Sequence, residues 1–559
     1  MKKKLSALIC LTLWAQCLIG VPSWTAPTNN QLPLGGSEVV GQQLTQAVAF
    51  PPFNQAIQVW FDPNLNVYYY ATYDGVSWSV PVNNNIPLGD SGQPITTVPS
   101  LIYDPSSSQL LLLWQDASTS IFYATYDGTG WTAPSGNIIP LGASSANITG
   151  FSLPVSFPGK LVIIWQDSAD HILYYATYDG TSWSASNSNQ LPLGTSAGAI
   201  TLFNPVYYPP SNQVVEIWRD VDNNDVLYYA TYDGTSWSTI AENQLPLGSS
   251  FGVAQAASTF YDPHSQQLLQ VWGSFDDVLY YATYDGTGWS TPVSGNLIQM
   301  GNSQEVQSIA NLVFDPDSNQ AILVWQNQIP GLLDNGNANN TDLYFSVYDG
   351  TSWSVPFLGN QIPLGPVSTG IFSFADPVYD SAAHQVVQIW QDNSSDFLYY
   401  ATYDGTSWST VNNNQLPLGA SSGDIGSFLD PVYLNNPPQL IEIWQQNSGQ
   451  FPLFFAVYEE VPLASPASFS GQTIENKFLL QTDLIHKLSW TASPDPTVIS
   501  YTLSRNGTVI YTVLLSNTPF PAGPFFYLDH NRNKNVTDVY TLTAQDSSGD
   551  VSVPLTVTF

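Results

Sequence analysis

From residue 24 to residue 460 the chain consists of short apolar runs separated by turn residues, and no stretch of useful length has the three-to-four-residue spacing of an amphipathic helix. In one representative stretch, strand-like runs fall at 99–103, 109–115, 120–126 and 131–133. Asp104-Pro105 ends the first run, because proline has no N–H to give a central ladder. Asp127-Gly128 turns the third run into the fourth, because glycine tolerates a positive φ and aspartate can hydrogen-bond its own turn backbone. The same four-run pattern recurs along this part of the chain, which is predicted to be all β.

Two tryptophan series mark the period. One is Trp60, Trp114, Trp165, Trp218, Trp272, Trp325, Trp390 and Trp444, each after an apolar run. The other is Trp24, Trp78, Trp131, Trp183, Trp237, Trp289, Trp353 and Trp408, in or beside a phrase written in full as Tyr-Ala-Thr-Tyr-Asp-Gly-Thr-Ser-Trp-Ser at 229–238. Successive members lie 51 to 55 residues apart, except for one longer step in each series. Four short strands per unit and eight units are the pattern of a β-propeller. Residues 24–27 supply only a fourth strand and 453–458 complete only a first three. The expected fold is therefore an eight-bladed β-propeller closed by an N-terminal strand, a closure that leaves no open sheet edge. The expected divisions are a signal peptide at 1–22, the propeller at 23–460 and a C-terminal β-sandwich at 461–559, entered through a short linker with two prolines.

Composition narrows the partners. The formal net charge is -33, with 10 Lys plus Arg against 43 Asp plus Glu, and between residues 21 and 460 the only cations are Lys160 and Arg219. Such a chain cannot neutralise a row of phosphates, which excludes nucleic acid and makes anionic membranes and acidic polymers poor partners. Charged residues are only 9% of the chain, so Asn, Gln, Ser, Thr and Tyr must cover the surface. That surface suits a secreted or cell-surface protein.

Lys2 to Lys4, the apolar run 5–20 and the small residues near Val21-Pro22-Ser23 read as an export signal. The alternative, an uncleaved anchor, suffers from an apolar run shorter than the roughly 20 residues a spanning helix needs. Both cysteines, Cys10 and Cys17, lie inside this segment. Cys17 is also a candidate for lipid attachment, although Gln16 is a poor match to the small residue that lipoprotein signals carry. A mature chain without cysteine has no disulfide, thiol catalysis or thiolate metal site. No later stretch is apolar enough to span a membrane.

Past residue 460 the repeat ends. Leu488-Ser489-Trp490, Ser500-Tyr501-Thr502-Leu503, the run 539–544 and Ser547-Ser548-Gly549 resemble a fibronectin type III module. The resemblance implies a sandwich in which Trp490 packs in the core and Tyr540 pins a corner. It implies a spacer or docking unit.

The Tyr-Asp-Gly-Thr-Ser-Trp phrase resembles the Asp-box of sialidase-like propellers (BNR-like repeats), but Asp233 and Gly234 are adjacent, one residue closer than in that family. The resemblance implies hairpin fasteners at Asp74, Asp127, Asp179, Asp233, Asp285, Asp349 and Asp404, on the face away from any active site. A sialidase resembling that family needs three arginines for its substrate carboxylate, and the repeat region has Arg219 alone. The short aromatic repeats also resemble fucose-binding lectin propellers, which pair an Arg with a Glu in each site. The missing Arg counts against fucose without excluding other neutral sugars.

Catalytic constellations are not evident. His171, His264 and His384 sit at different offsets in different units, and no Ser/His/Asp or metal-ligand spacing links them. A glycosidase needs only two carboxylates, and such a pair should break the repeat, whereas nearly all the acids fall at repeated positions. Asp220, Asp222 and Asp225 have the oxygen-rich character of a calcium loop without the Gly and distal Glu of an EF-hand.

What remains is binding. The apolar runs end in Trp60 with Asp62, Trp114 with Asp116, Trp165 with Asp167, Trp218 with Asp220, and Trp390 with Asp392. An indole face beside a carboxylate can hold a neutral sugar. Equally, the tryptophans can pack between blades while the aspartates start turns. An insertion at 329–342, rich in Gly and Asn, breaks the repeat on the same rim and is of the kind that often carries binding. The expectation is an exported, non-catalytic binding or adhesion protein, lectin-like for neutral glycans or for a protein partner. A glycoside hydrolase acting on neutral polysaccharide and a passive cell-envelope scaffold stay open as alternatives.

Overall fold

The computed structural model describes residues 22–559 apart from 42–44, 46, 146, 197, 199, 241, 293–294, 304, 329–340, 357–358, 369, 412–413, 460–464, 478–481, 494–497, 516–523 and 547–550. The expected signal peptide as far as Val21, with Cys10 and Cys17, nearly all of the 329–342 insertion, the start of the linker and Ser547-Ser548-Gly549 lie outside the described residues. The described chain is all β, its only helical turns being the 3-10 segments Pro51–Phe53 and Pro209–Ser211. Among the described residues no helix is long and apolar enough to cross a membrane. The chain divides into two compact units, one spanning Trp24–Tyr458 and the other holding Glu459–Phe559.

The larger unit contains eight antiparallel sheets, numbered here in chain order. Sheet two runs Ser100–Asp104, Gln109–Gln115, Ile121–Tyr126 and Trp131–Thr132, within one residue of the sequence expectation at every boundary. In sheet three the first strand is split into Ile148–Phe151 and Val155–Phe157, both paired with Lys160–Asp167. The split falls where Pro154 withholds an N–H from the ladder. The eighth sheet takes Ser23–Thr25 as the neighbour of Leu453–Glu459, so its outer strand comes from the opposite end of the chain to its other strands. Trp24 seats this strand: its ring lies 5.3 Å from that of Tyr458 and 6.2 Å from that of Tyr400.

Each sheet is apolar on both faces and buries them against its neighbours. Leu111, Ile121 and Tyr123 of sheet two share one cluster with Leu161, Trp165 and Tyr178 of sheet three. Ala375, Val387 and Tyr400 of sheet seven share another with Trp24, Leu440 and Trp444 of sheet eight. Trp60, Tyr73 and Trp78 of sheet one pack with Ile441, Ile443 and Phe455 of sheet eight.

A polar clasp reinforces each junction. In eight copies a buried asparagine (Asn30, Asn84, Asn137, Asn189, Asn243, Asn296, Asn360, Asn414) precedes an exposed or half-exposed residue and then a buried Leu or Ile. Asn84 Nδ2 donates to Tyr70 O of its own sheet at 3.2 Å and to Leu34 O of the preceding unit at 3.1 Å. Its Oδ1 accepts Gly36 N–H at 3.0 Å. Asn30 repeats this on Phe455 O at 2.9 Å, Leu418 O at 3.0 Å and Ala420 N at 2.8 Å. The residue after each clasped Leu or Met is a glycine at φ between 59° and 82°, Gly35 and Gly419 among them. A Cβ there would collide with the asparagine amide, so glycine is needed for both conformation and clearance.

The smaller unit has a three-stranded sheet (Ser468–Lys477, Thr482–Thr491, Phe525–Asp529) and a four-stranded sheet (Thr508–Leu514, Val498–Arg505, Val539–Asp546, Leu555–Thr558). They share one cluster in which Trp490, Tyr501, Leu503 and Tyr540 are buried. Tyr540 Oη donates to Asp529 at 2.6 Å, and Arg505 donates to the same carboxylate at 2.7 Å. His486 Nδ1 lies 3.0 Å from Tyr540 Oη.

Two fully buried acids interrupt a regular position. Where Gln270 and Gln388 donate their amides to pairs of backbone carbonyls, sheets four and eight carry Glu216 and Glu442, both 0% exposed; Glu216 has no partner on its carboxyl oxygens, and Glu442 has only the weak approach of the Leu429 backbone. Burial pushes both well above the usual glutamate range, with the charge of Asp430 adding to the shift at Glu442.

Two predictions follow from this packing. Trp24→Ala should cost about 3 kcal/mol, read as a lowered midpoint in thermal or denaturant unfolding; an unchanged midpoint would mean that residues 23–25 do not complete sheet eight. For the buried acids, the folded chain keeps a proton that the unfolded chain loses above its ordinary glutamate pKa. The penalty is therefore absent below that value and grows by about 1.4 kcal/mol per pH unit above it, until the folded group ionises. Glu216→Gln and Glu442→Gln should each stabilise the protein at pH 7 and converge on the wild type near pH 4; equal stability at both pH values would refute the assignment.

Candidate ligand-binding site

The five Trp-x-Asp pairs are where the sequence placed a ligand, and the structure gives them another task. Trp60, Trp114, Trp165, Trp218 and Trp390 are all 0% exposed. Each indole is covered by the aromatic ring opposite it on the next strand, as Trp218 is by Tyr228 at 6.2 Å and 16°. An indole with both faces packed cannot stack on a sugar, so the reading of these residues as sugar platforms is corrected to inter-sheet packing.

The aspartates are engaged as well. Asp62 accepts Ser37 Oγ at 3.0 Å, Glu38 N at 2.7 Å, Val39 N at 3.1 Å, Asn64 N at 2.9 Å and Leu65 N at 3.2 Å. Asp167 accepts Ser144 Oγ, Ser145 N and Ala169 N, and Asp116 accepts Ser91 Oγ and Ser118 N. In two units the indole joins the chain: Trp218 Nε1 donates to Ser196, which donates to Asp220, and Trp390 Nε1 donates to Ser368, which donates to Asp392. For Asp62 and Asp167 burial works against ionisation, but the converging donors prevail and hold both carboxyls below the usual range. These carboxylates anchor the loops that connect neighbouring sheets.

The repeated Asp-Gly phrase is a turn-closing device. Asp233 Oδ1 accepts Thr235 N at 2.8 Å, Ser236 N at 2.9 Å and Thr235 Oγ1 at 2.7 Å, which lower its pKa. Gly234 has φ +95° and lies against Phe157 of the preceding sheet.

Arg219 Nη1 donates to Val253 O at 3.0 Å and Ala254 O at 2.9 Å, and Nε lies 3.7 Å from Asp225. Asp220 is held by loop donors, and no group of three or more His, Cys, Asp or Glu among the described residues could hold a metal ion. His171, His264 and His384 are exposed and belong to different sheets.

Acids that break the repeat meet in the gaps of the split first strands of sheets seven and eight, between Ile371–Phe374 and Val378–Asp380 and between Ile425–Phe428 and Val432–Asn435. Asp376 Oδ1 accepts Asn311 N at 2.7 Å, and Asp430 Oδ1 accepts Asp376 N at 2.7 Å. Asp430 is raised to about 6, by burial first and then by the Asp376 charge. Sheets four and six have Asn204 and Asn311 at the equivalent position, and sheet three has Leu153.

The clasp phrase also shapes two hollows. One, of 570 Å3, is lined by Asn29, Gln31, Leu34, Ser77, Trp78 and Gln450 among others. The second, of 480 Å3, is lined by Asn302, Gly359, Gln361, Ile362, Pro363 and Leu364. They share five repeat positions, from Asn29 and Gln31–Leu34 in one to Gly359 and Gln361–Leu364 in the other. Neither is lined by a charged side chain. An exposed amide beside Leu and Pro faces can exchange hydrogen bonds with hydroxyls while the apolar surface covers C–H groups. Sequence reasoning missed these hollows, although the Asn-x-Leu-Pro-Leu-Gly phrase was present as a signal.

No protein-family model matches the chain, and no curated protein matches it. Among solved structures, a mutant of the Aleuria aurantia lectin in complex with Fucα1-6GlcNAc is 17% identical, with 58% of this chain and 97% of that one covered, at a TM-score of 0.32. The BP39L lectin from Burkholderia pseudomallei is 16% identical over 66% of this chain and 98% of its own, at 0.41. The GH93 α-L-arabinofuranosidase of Fusarium graminearum with arabinobiose is 12% identical over 57% of this chain and 95% of its own, at 0.30. The Aleuria lectin is described as a six-bladed β-propeller.

Proposed function

We propose that the protein is an exported, non-catalytic binding protein that recognises uncharged glycans through the hollows beside its repeated Asn-x-Leu-Pro-Leu-Gly phrase. In this reading the Trp24–Tyr458 unit is an eight-bladed propeller closed by residues 23–25, with Asp-box-like turns at its Asp-Gly hairpins. The smaller unit is a fibronectin type III-like sandwich that spaces or docks it. The carrying observation is the chemistry of the hollows: amides, hydroxyls and apolar faces with no charged side chain. Neutral saccharides match that surface, whereas carboxylated or sulfated ones would find no cation to pair with.

A glycoside hydrolase is the second reading, and Asp376 and Asp430 are the observation in its favour. They are neighbouring acids that break the repeat, and burial together with the Asp376 charge raises Asp430 above the usual aspartate range.

Purified protein should bind uncharged glycans on an array and ignore sialylated and sulfated ones, with retention little changed between about 0.1 and 1 M salt, as expected where no ion pair is formed (the screening length falls from about 10 to about 3 Å over that range). Retention of no glycan would sink the reading, and co-purification with envelope material alone would favour a scaffold. Release of reducing ends from neutral polysaccharide, lost in Asp430→Asn, would favour the hydrolase.

A further inference from the structure

The residue after each clasp asparagine stands between two positions that the fold fixes. The asparagine before it is buried in all eight units, as is the Leu or Ile after it. The residue between them pairs with an aromatic residue on the neighbouring strand, Gln31 with Phe454 and Gln361 with Tyr344 for example, and it is exposed or half-exposed. Six units carry an amide there: Gln31, Asn85, Gln190, Gln244, Gln361 and Gln415. The other two carry Ile138 and Leu297, which are 41% and 52% exposed. Since those two units fold like the rest, packing does not require an amide at this position. In both described hollows this amide is among the lining residues, and Gln361 also hydrogen-bonds the Asp342 carboxyl.

We propose that this residue decides which units take ligand: the six amide-bearing units each accept one uncharged, hydroxyl-rich saccharide residue beside it, and the units with Ile138 and Leu297 do not. The inference rests on the glycan-binding reading above and adds its stoichiometry and its determining residue. An amide offers two N–H donors and two carbonyl lone pairs, so it can hold a pair of vicinal hydroxyls. Gln190, for example, gives one donor to Tyr174 Oη at 3.2 Å and retains the second and its carbonyl. An isoleucine or leucine offers neither, and a sugar hydroxyl placed against it would lose its water without replacement.

The test counts sites on the full chain with methyl glycosides of glucose, galactose and mannose as probes, by isothermal titration calorimetry and native mass spectrometry. The expected result is six bound glycosides per chain for at least one of the three. Gln31→Leu should lower the count by one, and Ile138→Gln should raise it by one. Both changes fall on solvent-facing positions where the natural chain already tolerates the other residue type, so folding is not at stake, and a thermal melt verifies that. Binding with a count of eight, or a count that neither substitution moves, would overturn the assignment while leaving glycan binding intact. No binding of any of the three by a chain that does retain glycans on an array would also overturn it, and silence in both assays would remove the underlying reading.

Discussion

Every sheet in the Trp24–Tyr458 unit is apolar on both faces, so none can satisfy itself alone, and the clasp asparagines govern how each meets its neighbour. At Asn84 a single amide ties two backbone carbonyls, one from each unit, while its oxygen takes an N–H from the turn between them; at Asn243 and Asn414 the two donor bonds recur and the oxygen has no partner. That joint is neutral. Burying an amide with its hydrogen bonds satisfied costs far less than burying an ion pair, which fits a chain with only 9% charged residues. The positive-φ glycine against each asparagine then sets how closely the two units approach, because any side chain there would occupy the amide's place.

The remaining repeated motifs depend on that spacing. The Trp-x-Asp tryptophans fill the space between sheets that the clasps hold together, and their aspartates gather donors from the loop that leads out of the clasp: the Ser37 hydroxyl and the Glu38 and Val39 N–H groups follow directly on Gly35 and Gly36. Clasp, loop and indole thus form one connected device per unit. Exposed functional chemistry is left to the positions this device does not use.

Much of the fold could be read from the sequence because its determinants are local. Strand limits in sheet two followed from Asp104-Pro105 and Asp127-Gly128, and the partial units at the two ends pointed to the pairing of Ser23–Thr25 with Leu453–Glu459. The site was harder to read. An indole followed two residues later by a carboxylate looks the same in sequence whether its faces meet solvent or another sheet, and only the packing of Tyr228 on Trp218 and its counterparts separates the two. Likewise Asn84 acquires its role from Leu34 and Gly35, about fifty residues away, and nothing in its own neighbourhood announces that partner.

The same constraint bears on how such a protein could bind tightly. An open hollow of 480 to 570 Å3 without charge forms only neutral hydrogen bonds, each contributing about 0.5–1.5 kcal/mol net, so one site holds a sugar weakly. Repetition changes this, because once one site is filled the others meet the same glycan surface at high effective concentration. That gain is lost if the sites cannot be occupied together, so it depends on a fixed distance between them. The clasps supply that distance: they lie one residue from the amide that would meet the ligand, and they bind each unit to the one before it. In the glycan-binding reading, the interaction that lets the sheets fold together is thus also the one that sets the spacing of the sites, and the preferred target is a surface that displays many copies of an uncharged sugar.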